Sequence, residues 1–171
     1  MVKVLLITLL TLMSGLSFAQ SGAQVGDKAP ALTIDEWLKG EPVTTFENGK
    51  VYIVEFWGTW CGPCIKNIPH LSKLQKEYSD DGLIVIGVAT HEFDGREALD
   101  KFMKERGSEM EYRVAYDTDY SMEVEWDTGV LTESDFKLPL AFIIDREGYV
   151  AFVGHPENKE FESTLVKAIN D

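Results

Sequence analysis

Long apolar runs alternate with amphipathic stretches along most of the chain. The run VYIVEFW at residues 51–57 is broken only by Glu55, and GLIVIGVAT at residues 82–90 is a second such run. Runs of this kind, rich in β-branched and aromatic residues, are typical of strands buried on both faces. Between them, apolar residues recur at three- and four-residue spacing, which predicts a helix from just after Cys61 to about Asp80. The apolar face of that helix consists of Ile65, Ile68, Leu71, Leu74 and Tyr78.

The second half of the chain continues this alternation. An amphipathic segment at residues 96–107 ends on a glycine, as many helices do, and the short strand YRVAYD and short helix DYSMEVEW follow it. LAFIID, the turn REG and YVAFVG then predict a hairpin, and NKEFESTLVKAIN predicts a closing helix. We therefore predict an α/β fold whose central sheet is mixed but mostly parallel, with helices on both faces.

One domain accounts for the whole pattern. A chain of 171 residues with 44% hydrophobic residues is long enough to bury one sizeable core. Residues 23–50 are broken by Gly, Pro and Asn-Gly and predict a lead-in of turns and short strands. No repeat, low-complexity stretch or linker divides the sequence, so we expect a single domain at residues 20–171.

The first 19 residues have the pattern of a secretory signal peptide. Lys3 precedes an apolar run at residues 4–13, and small residues lead to a cleavage position after Ala19. An uncleaved membrane anchor is the alternative, but this run is short, whereas a membrane span needs about 20 mostly apolar residues. The prediction is export to an oxidising compartment, periplasmic or secreted, where two cysteines can form a disulfide.

The charge balance argues against some partners. The chain has 16 Lys and Arg against 29 Asp and Glu, a net charge of −13. Such a field repels phosphate backbones and anionic lipid surfaces, so nucleic acid is not an expected partner. The acidic residues are interleaved with apolar ones, which is the pattern of a solvated surface.

The only two cysteines, Cys61 and Cys64, are separated by Gly62 and Pro63. Structural zinc needs four suitably spaced ligands, which three scattered histidines do not supply, and haem attachment needs a histidine where Ile65 stands. A structural disulfide that closes so small a loop would stabilise little. Thiol redox chemistry without a metal or other cofactor is therefore the favoured interpretation.

The predicted helix gives the two cysteines different roles. Free backbone N–H groups and the positive end of the helix dipole favour a thiolate at Cys61, which would be the attacking sulfur. Cys64, one turn later on the buried side, would resolve a mixed disulfide. Burial of Glu55 in its strand would raise its pKa and suit it to carry a proton for Cys64. The alternative is that Glu55 reaches an edge of the sheet and pairs with a surface lysine.

The segment EFWGTWCGPC, residues 55–64, resembles the active-site segment of thioredoxin-fold proteins, and Pro69 matches the kink in that family's active-site helix. The signal peptide, the wording FWGTWCGPC, a lengthened middle section and the stretch LPLAFIIDREGYVAFVGHP at residues 138–156 together resemble the TlpA/ResA-like exported thiol-disulfide oxidoreductases of bacteria. The resemblance extends from about Val25 to the C-terminus. It implies a thioredoxin-like fold.

The resemblance also implies roles for individual residues. Cys61 would be the nucleophile, Cys64 the resolving cysteine and Glu55 the buried acid. Pro139 would be a cis-proline facing the disulfide, and Leu138 before it would offer backbone hydrogen bonds to a bound peptide. Trp57, Trp60 and Gly62 would shape the apolar rim. The residues expected to bind substrate are Trp60, Gly62, Pro63, Leu138 and Pro139.

Three departures from the family pattern stand out. Thioredoxins have a lysine near the buried acid on the next strand, where this chain has Gly87. Many exported relatives have a further acid one turn after the second cysteine, where this chain has Asn67. We therefore expect a different proton relay. Residues 126–139 are longer and more polar than the usual approach to the cis-proline, and partner choice is expected there.

The Gly-Pro pair between the cysteines resembles the reducing type, near about −270 mV, rather than the oxidising type near about −120 mV. The prediction is a reductase of disulfides in exported proteins, kept reduced by a membrane thiol donor that the resemblance implies. A copper-binding chaperone of the same fold is the alternative, although such proteins have three residues between the cysteines, where this chain has two, and a histidine where this chain has Leu138 and Pro139. A peroxidase would need a proline in place of Trp57. A binding module with inert cysteines is a further class.

Overall fold

The computed structural model describes residues 23–34, 36–126, 128 and 138–171. The signal peptide expected at residues 1–19, the start of the expected domain, and most of the loop expected to choose partners lie outside the described residues. Within the described ranges, no helix is both long and apolar enough to cross a membrane.

Six strands of the described chain form one sheet. They are β1 Glu36–Lys39, β2 Val51–Trp57, β3 Leu83–Ala89, β4 Arg113–Tyr116, β5 Leu140–Ile144 and β6 Val150–Gly154. Their order across the sheet is β1-β4-β3-β2-β5-β6. The predicted mixed sheet is confirmed, but the parallel part is limited to β2, β3 and β4. The expectation of a mostly parallel sheet was too strong, because β1 pairs antiparallel with β4 and the β5–β6 hairpin returns antiparallel along β2.

The helices are α1 Gly62–Tyr78, α2 Gly95–Arg106, α3 Ser121–Trp126 and α4 Lys159–Asn170, with a 3₁₀ turn at Gly107–Glu109. Apolar side chains of α1, α2 and α4 join one core cluster against the sheet. Met122 and Trp126 of α3 join a second cluster together with the lead-in segment. The two clusters share no residue of β2, so they cover opposite faces, as predicted.

Strand β2 lies at the centre of the sheet and is buried along its whole length. Side chains alternate across a strand, so Tyr52, Val54 and Phe56 pack into the α3 cluster and Ile53 and Trp57 into the α1 cluster. Glu55 shares the face of Ile53 and Trp57. The sheet therefore directs this carboxyl group towards α1, which begins a few residues after β2 ends.

Candidate active site

Cys61 and Cys64 form a disulfide at the start of α1. Cys61 is the N-cap residue, and its Sγ accepts a hydrogen bond from the backbone N–H of Cys64 at 3.2 Å. Gly62 and Pro63 are exposed in the first turn, where the missing N–H of a proline leaves no helical hydrogen bond unmade. The structure thus places Cys61 at the helix N-terminus, as the sequence predicts. Cys61 is 4% exposed and Cys64 is 1% exposed, so Cys61 is the more accessible sulfur.

Trp60 is fixed against the loop that follows β3. Its Nε1–H donates to the carbonyl of His91 at 2.7 Å, and its ring lies 4.8 Å, centroid to centroid, from that of Phe93. A Cβ atom at Gly58 would lie 2.6 Å from Trp60 Nε1, so the ring can lie over Gly58 only because this residue has no side chain. Phe93 is 67% exposed and extends the predicted apolar rim by a residue that the sequence did not single out. The expectation that Trp57 shapes this rim is wrong, because Trp57 is 1% exposed and packs into the α1 cluster.

Glu92 holds the loop that leads into Cys61. Its carboxylate accepts hydrogen bonds from the backbone N–H of Thr59, at 2.9 Å, and from the Thr59 hydroxyl. Burial raises the pKa of Glu92, and the two Thr59 hydrogen bonds oppose that rise. Sequence reasoning missed this residue. A signal was available, because Glu92 follows the carboxyl end of β3, and the carboxyl ends of adjacent parallel strands meet at one edge of a sheet.

Pro139 also lies at this edge. The Leu138–Pro139 peptide bond is cis, as the resemblance implies, and Pro139 is buried while Leu138 is half-buried. Leu140 is the register partner of Phe56 in the antiparallel pair of β5 and β2, so Pro139 lies one residue beyond that pair. The ends of β2 and β5 therefore bring Pro139 to the edge from which the chain runs into Cys61.

Glu55 is buried in the middle of the sheet and is 1% exposed. Its Oε1 accepts a hydrogen bond from Asn67 Nδ2 at 2.9 Å. Burial raises the pKa of Glu55 to about 8, and the Asn67 hydrogen bond opposes the rise. The alternative, in which Glu55 reaches an edge and pairs with a surface lysine, is wrong, because β2 lies between β3 and β5.

Gly87 is the register partner of Glu55 in β3. A Cβ atom at Gly87 would lie 3.0 Å from Tyr112 Cε2 and 3.2 Å from Trp57 Nε1, so aromatic rings occupy the place in which thioredoxins have a lysine. The Tyr112 hydroxyl and Trp57 Nε1 are buried and make no hydrogen bond within the described chain. Burial, with a smaller contribution from the nearby Glu55 charge, raises the pKa of Tyr112 well above its usual value.

A second buried carboxyl group lies near His91, in the loop after β3 that contacts Trp60. Glu123 of α3 is 2% exposed, and its Oε1 lies 3.6 Å from His91 Nδ1. Burial, and then the charge of Asp117, raise the pKa of Glu123 to about 7. Asp117 itself accepts the backbone N–H groups of Met122 and Glu123 and so caps the start of α3.

Metal-binding groups were sought over the described ranges. They contain no group of three or more His, Cys, Asp or Glu side chains placed to hold a metal ion. His155, the histidine nearest the late hairpin, accepts a hydrogen bond from the backbone N–H of Glu157 through its Nδ1 and so stabilises the turn in which it lies.

Comparison with known proteins places this geometry in context. The family model described as Redoxin matches residues 24–169. Protein FixW of Rhizobium leguminosarum is 32% identical over 139 residues, which are 78% of this chain and 62% of FixW, so the chain spans less than two thirds of FixW. A thiol-disulfide oxidoreductase ResA of Bacillus cereus is 28% identical over 161 residues, which are 92% of this chain and 86% of that ResA.

Solved structures give the same picture of the fold. A crystal structure of a putative thiol:disulfide interchange protein DsbE from Chlorobium tepidum matches with a TM-score of 0.66 at 24% sequence identity. The match covers 86% of this chain and 99% of that one. The thioredoxin-like α/β fold expected from the sequence is confirmed.

Proposed function

The chain belongs to the Redoxin family and is a thiol-disulfide oxidoreductase similar to ResA, with Cys61 and Cys64 as its redox pair, and from this premise we propose that it reduces disulfides in exported proteins. One observation carries the proposal. Cys61 Sγ occupies the N-cap of a 17-residue helix and receives the N–H of Cys64. Donors and the helix dipole at this position favour a thiolate, which is the species that attacks a disulfide.

The reaction follows from the unequal positions of the two sulfurs. In the reduced protein, the Cys61 thiolate attacks one sulfur of the substrate disulfide, forms a mixed disulfide and releases the other substrate sulfur as a thiolate. Cys64 then loses its proton and attacks Cys61 Sγ, which releases the second substrate thiolate. Two electrons pass to the substrate, and the Cys61–Cys64 disulfide described above is the oxidised product.

Glu55 takes the proton of Cys64 in this scheme. Its pKa of about 8 lies close to that of an ordinary thiol, about 8.5, so a proton can move between the two groups at little energetic cost. Asn67, one turn after Cys64 in α1, holds the carboxyl group beneath the start of the helix. Glu55 is therefore the proposed proton carrier.

The rim supplies the binding surface in this proposal. Trp60, Gly62 and Pro63 lie half-buried or exposed around Cys61, and Leu138 precedes the cis bond at the same edge. The Leu138 backbone would pair with an extended segment of the substrate, and the exposed Phe93 would add apolar contact. The substrate class is a disulfide-containing exported protein.

The direction of electron flow and the location complete the proposal. The Gly-Pro pair between the cysteines favours a reduction potential of about −270 mV, so a dithiol donor at the membrane would return the protein to its reduced form. A signal peptide at residues 1–19 would place the domain at residues 20–171 in the periplasm or outside the cell.

Reduction of insulin by the dithiol protein tests the proposal together with trapping by Cys64→Ser. We expect insulin reduction by the wild type, none by Cys61→Ser, and a mixed disulfide on Cys61 in the Cys64→Ser variant that dithiothreitol releases. A reduction potential above about −150 mV would contradict the assignment as a reductase. Inert cysteines would give no trapped species.

A further inference from the structure

His70 connects the buried Glu55 to the protein surface through Asn67. Asn67 Oδ1 lies 3.2 Å from His70 Nδ1, and Asn67 Nδ2 donates to Glu55 at 2.9 Å. On the other side of the ring, His70 Nε2 lies 2.9 Å from Oε1 of Glu162 in α4. Four side chains from three elements thus form one hydrogen-bonded row, which ends on a carboxylate that is 67% exposed.

The donors and acceptors in this row restrict where its protons can be. An Asn side chain has a donating nitrogen and an accepting oxygen. Because the nitrogen of Asn67 faces Glu55, its oxygen faces His70 Nδ1 and requires an N–H there. The Glu162 carboxylate requires a second N–H, on Nε2. An imidazole ring with both N–H groups is the cation, so the arrangement combines an accepting Glu55 with a charged His70.

A half-turn of the Asn67 amide produces the complementary arrangement. The amide nitrogen then donates to His70 Nδ1, which must be unprotonated, and the amide oxygen faces Glu55, which must carry a proton in order to donate. When Glu55 is ionised in the first arrangement, the two arrangements hold the same number of protons. They differ in that one proton is on His70 in the first and on Glu55 in the second.

We infer that His70 is a positioning residue which, through the orientation of the Asn67 amide, makes uptake of a proton by Glu55 coincide with release of a proton at the surface. This inference rests on the proposed role of Glu55. When Cys64 gives its proton to Glu55, the amide turns and His70 loses its Nδ1 proton to solvent. One proton enters the row from the thiol and one leaves it, so the net change is Cys64 thiol to Cys64 thiolate and a proton in water.

The exchange leaves the net charge of the row unchanged. Before it, Glu55, His70 and Glu162 carry −1, +1 and −1, and after it they carry 0, 0 and −1, so the total stays at −1. The row itself therefore gains no charge beneath the sheet, where charge is poorly solvated, and the one new negative charge is that of the Cys64 thiolate. The Asn67 amide carries no proton between Glu55 and His70. Its turn exchanges the side on which it donates a hydrogen bond with the side on which it accepts one.

Other groups face the two ends of the row. At the Glu55 end, Tyr112, the residue just before β4, has a buried hydroxyl that is near enough to feel the Glu55 charge. At the His70 end, Glu157 and Lys159 line the same surface hollow as Glu162. The ring of Phe161 lies 6.3 Å from the His70 ring, centroid to centroid, and closes its inner side.

Replacement of Glu162 separates this inference from the direct through-space effect of the Glu162 charge. Removal of a negative charge acts through space to lower the titration midpoint of another carboxyl group. The relay predicts the opposite sign, because without the Glu162 carboxylate the His70 Nε2–H loses its charged acceptor and the Asn67 nitrogen faces Glu55 for less of the time. Glu162→Gln should therefore raise the Glu55 midpoint, by about 0.3 to 1 pH unit.

The experiment is an NMR titration of the disulfide form, with the Glu55 carboxyl carbon and the His70 ring as probes. The matched control is Glu157→Gln, which removes a carboxylate of the same hollow that makes no hydrogen bond to His70 in the described structure. We expect an upward shift in Glu162→Gln and none in the control. His70→Gln should raise the Glu55 midpoint in the wild type but add nothing in an Asn67→Ala background. A downward or absent shift in Glu162→Gln, or additive effects in the double variant, would overturn the inference.

The proposed function has a separate readout. If Glu55→Gln leaves the pH profile of Cys64 alkylation in the reduced Cys61→Ser protein unchanged, the proposed role of Glu55 fails. If Glu55→Gln changes that profile and Glu162→Gln moves the Glu55 midpoint downward, only the role of His70 fails.

Discussion

Gly87 is the strand partner of Glu55, and the space that a side chain at Gly87 would need is filled by the rings of Tyr112 and Trp57. No cation on the neighbouring strand can therefore reach the buried carboxyl group at this point. Among the described residues, Asn67 donates a hydrogen bond that favours the ionised form, and it only partly offsets burial, which raises the pKa of Glu55 to about 8.

Gly87→Ala should destabilise the protein by about 1–3 kcal/mol, because the added methyl group would press on two buried rings that have little room to move. Urea unfolding of the disulfide form measures this. The matched control is Gly62→Ala, where an added Cβ meets nothing within 4 Å and the helix gains from alanine. Equal stability of Gly87→Ala and the wild type would show that the rings of Tyr112 and Trp57 can move to make room for the methyl group.

Glu55→Gln should change the dependence of stability on pH. The folded-state pKa of Glu55, about 8, lies above the unfolded value, so the wild type is progressively destabilised as pH rises from about 4.5 through 8. The variant lacks this loss, so its free energy of unfolding should exceed that of the wild type by about 2–5 kcal/mol at pH 9, with much less difference near pH 4.

Unfolding of the disulfide forms at a series of pH values checks the Glu55→Gln prediction. Glu105→Gln, at an exposed position of α2, is the control and should follow the wild-type curve. A constant difference between Glu55→Gln and the wild type from pH 4 to 9 would mean that ionisation of Glu55 does not oppose folding.

The sequence made part of this site predictable. Strand β2, the start of α1 and the burial of Glu55 follow from local periodicity, which a single segment contains. The packing around Gly87 does not, because Tyr112 directly precedes β4 and reaches Gly87 only once β4 has paired with β3. The sequence of one strand does not show which distant strand it pairs with.

The contacts of the active-site loop show the same limit. Thr59 and Glu92 are 33 residues apart, and their hydrogen bonds exist because the loops after β2 and β3 meet. His70 had a local signal, since it lies three residues after Asn67 on one face of α1, but its other partner, Glu162, comes from the last helix. The excess of parallel pairing in the predicted sheet has a similar origin, because alternation of strands and helices does not fix the direction of edge strands.

Tyr112→Phe should leave the free energy of unfolding within about 1 kcal/mol of the wild type or raise it, because the hydroxyl is buried without a hydrogen bond in the described chain. Tyr52→Phe is the matched control. The Tyr52 hydroxyl accepts the backbone N–H of Glu47 at 3.0 Å, so its loss should cost about 0.5–1.5 kcal/mol. If Tyr112→Phe is the more damaging change, its hydroxyl has a partner that stabilises the fold.

Glu92→Gln should slow the reaction of the reduced protein with disulfides by on the order of tenfold, because an amide accepts with only one oxygen and the loop before Cys61 loses a hydrogen bond. Stopped-flow reduction of a model disulfide measures the rate. Glu97→Gln, on the exposed face of α2, removes the same charge nearby and should react like the wild type. Equal slowing by both changes would assign the effect to charge rather than to the position of Thr59.

Arg146 separates stability from reactivity. Its guanidinium donates to the carbonyls of Gly49, at 2.5 Å, of Asp81, at 3.2 Å, and of Ile169. These carbonyls belong to the segment before β2, the turn after α1 and the end of α4, so the side chain joins three segments at the end of the sheet opposite the cysteines. Arg146→Ala should therefore destabilise the fold by about 2 kcal/mol, since hydrogen bonds from a charged donor are among the stronger ones.

The rate of disulfide reduction by the folded Arg146→Ala protein should equal that of the wild type, because the substitution alters no contact at the end of β2 that leads to Cys61. Arg106→Ala is the control for loss of a surface arginine, since Arg106 pairs with Glu109 in a solvent-exposed contact, and it should unfold close to the wild-type midpoint. A slower reaction in Arg146→Ala at full folding would mean that the two ends of the sheet are coupled. In that case, the geometry around Cys61 would depend on how the far ends of α1 and α4 are held.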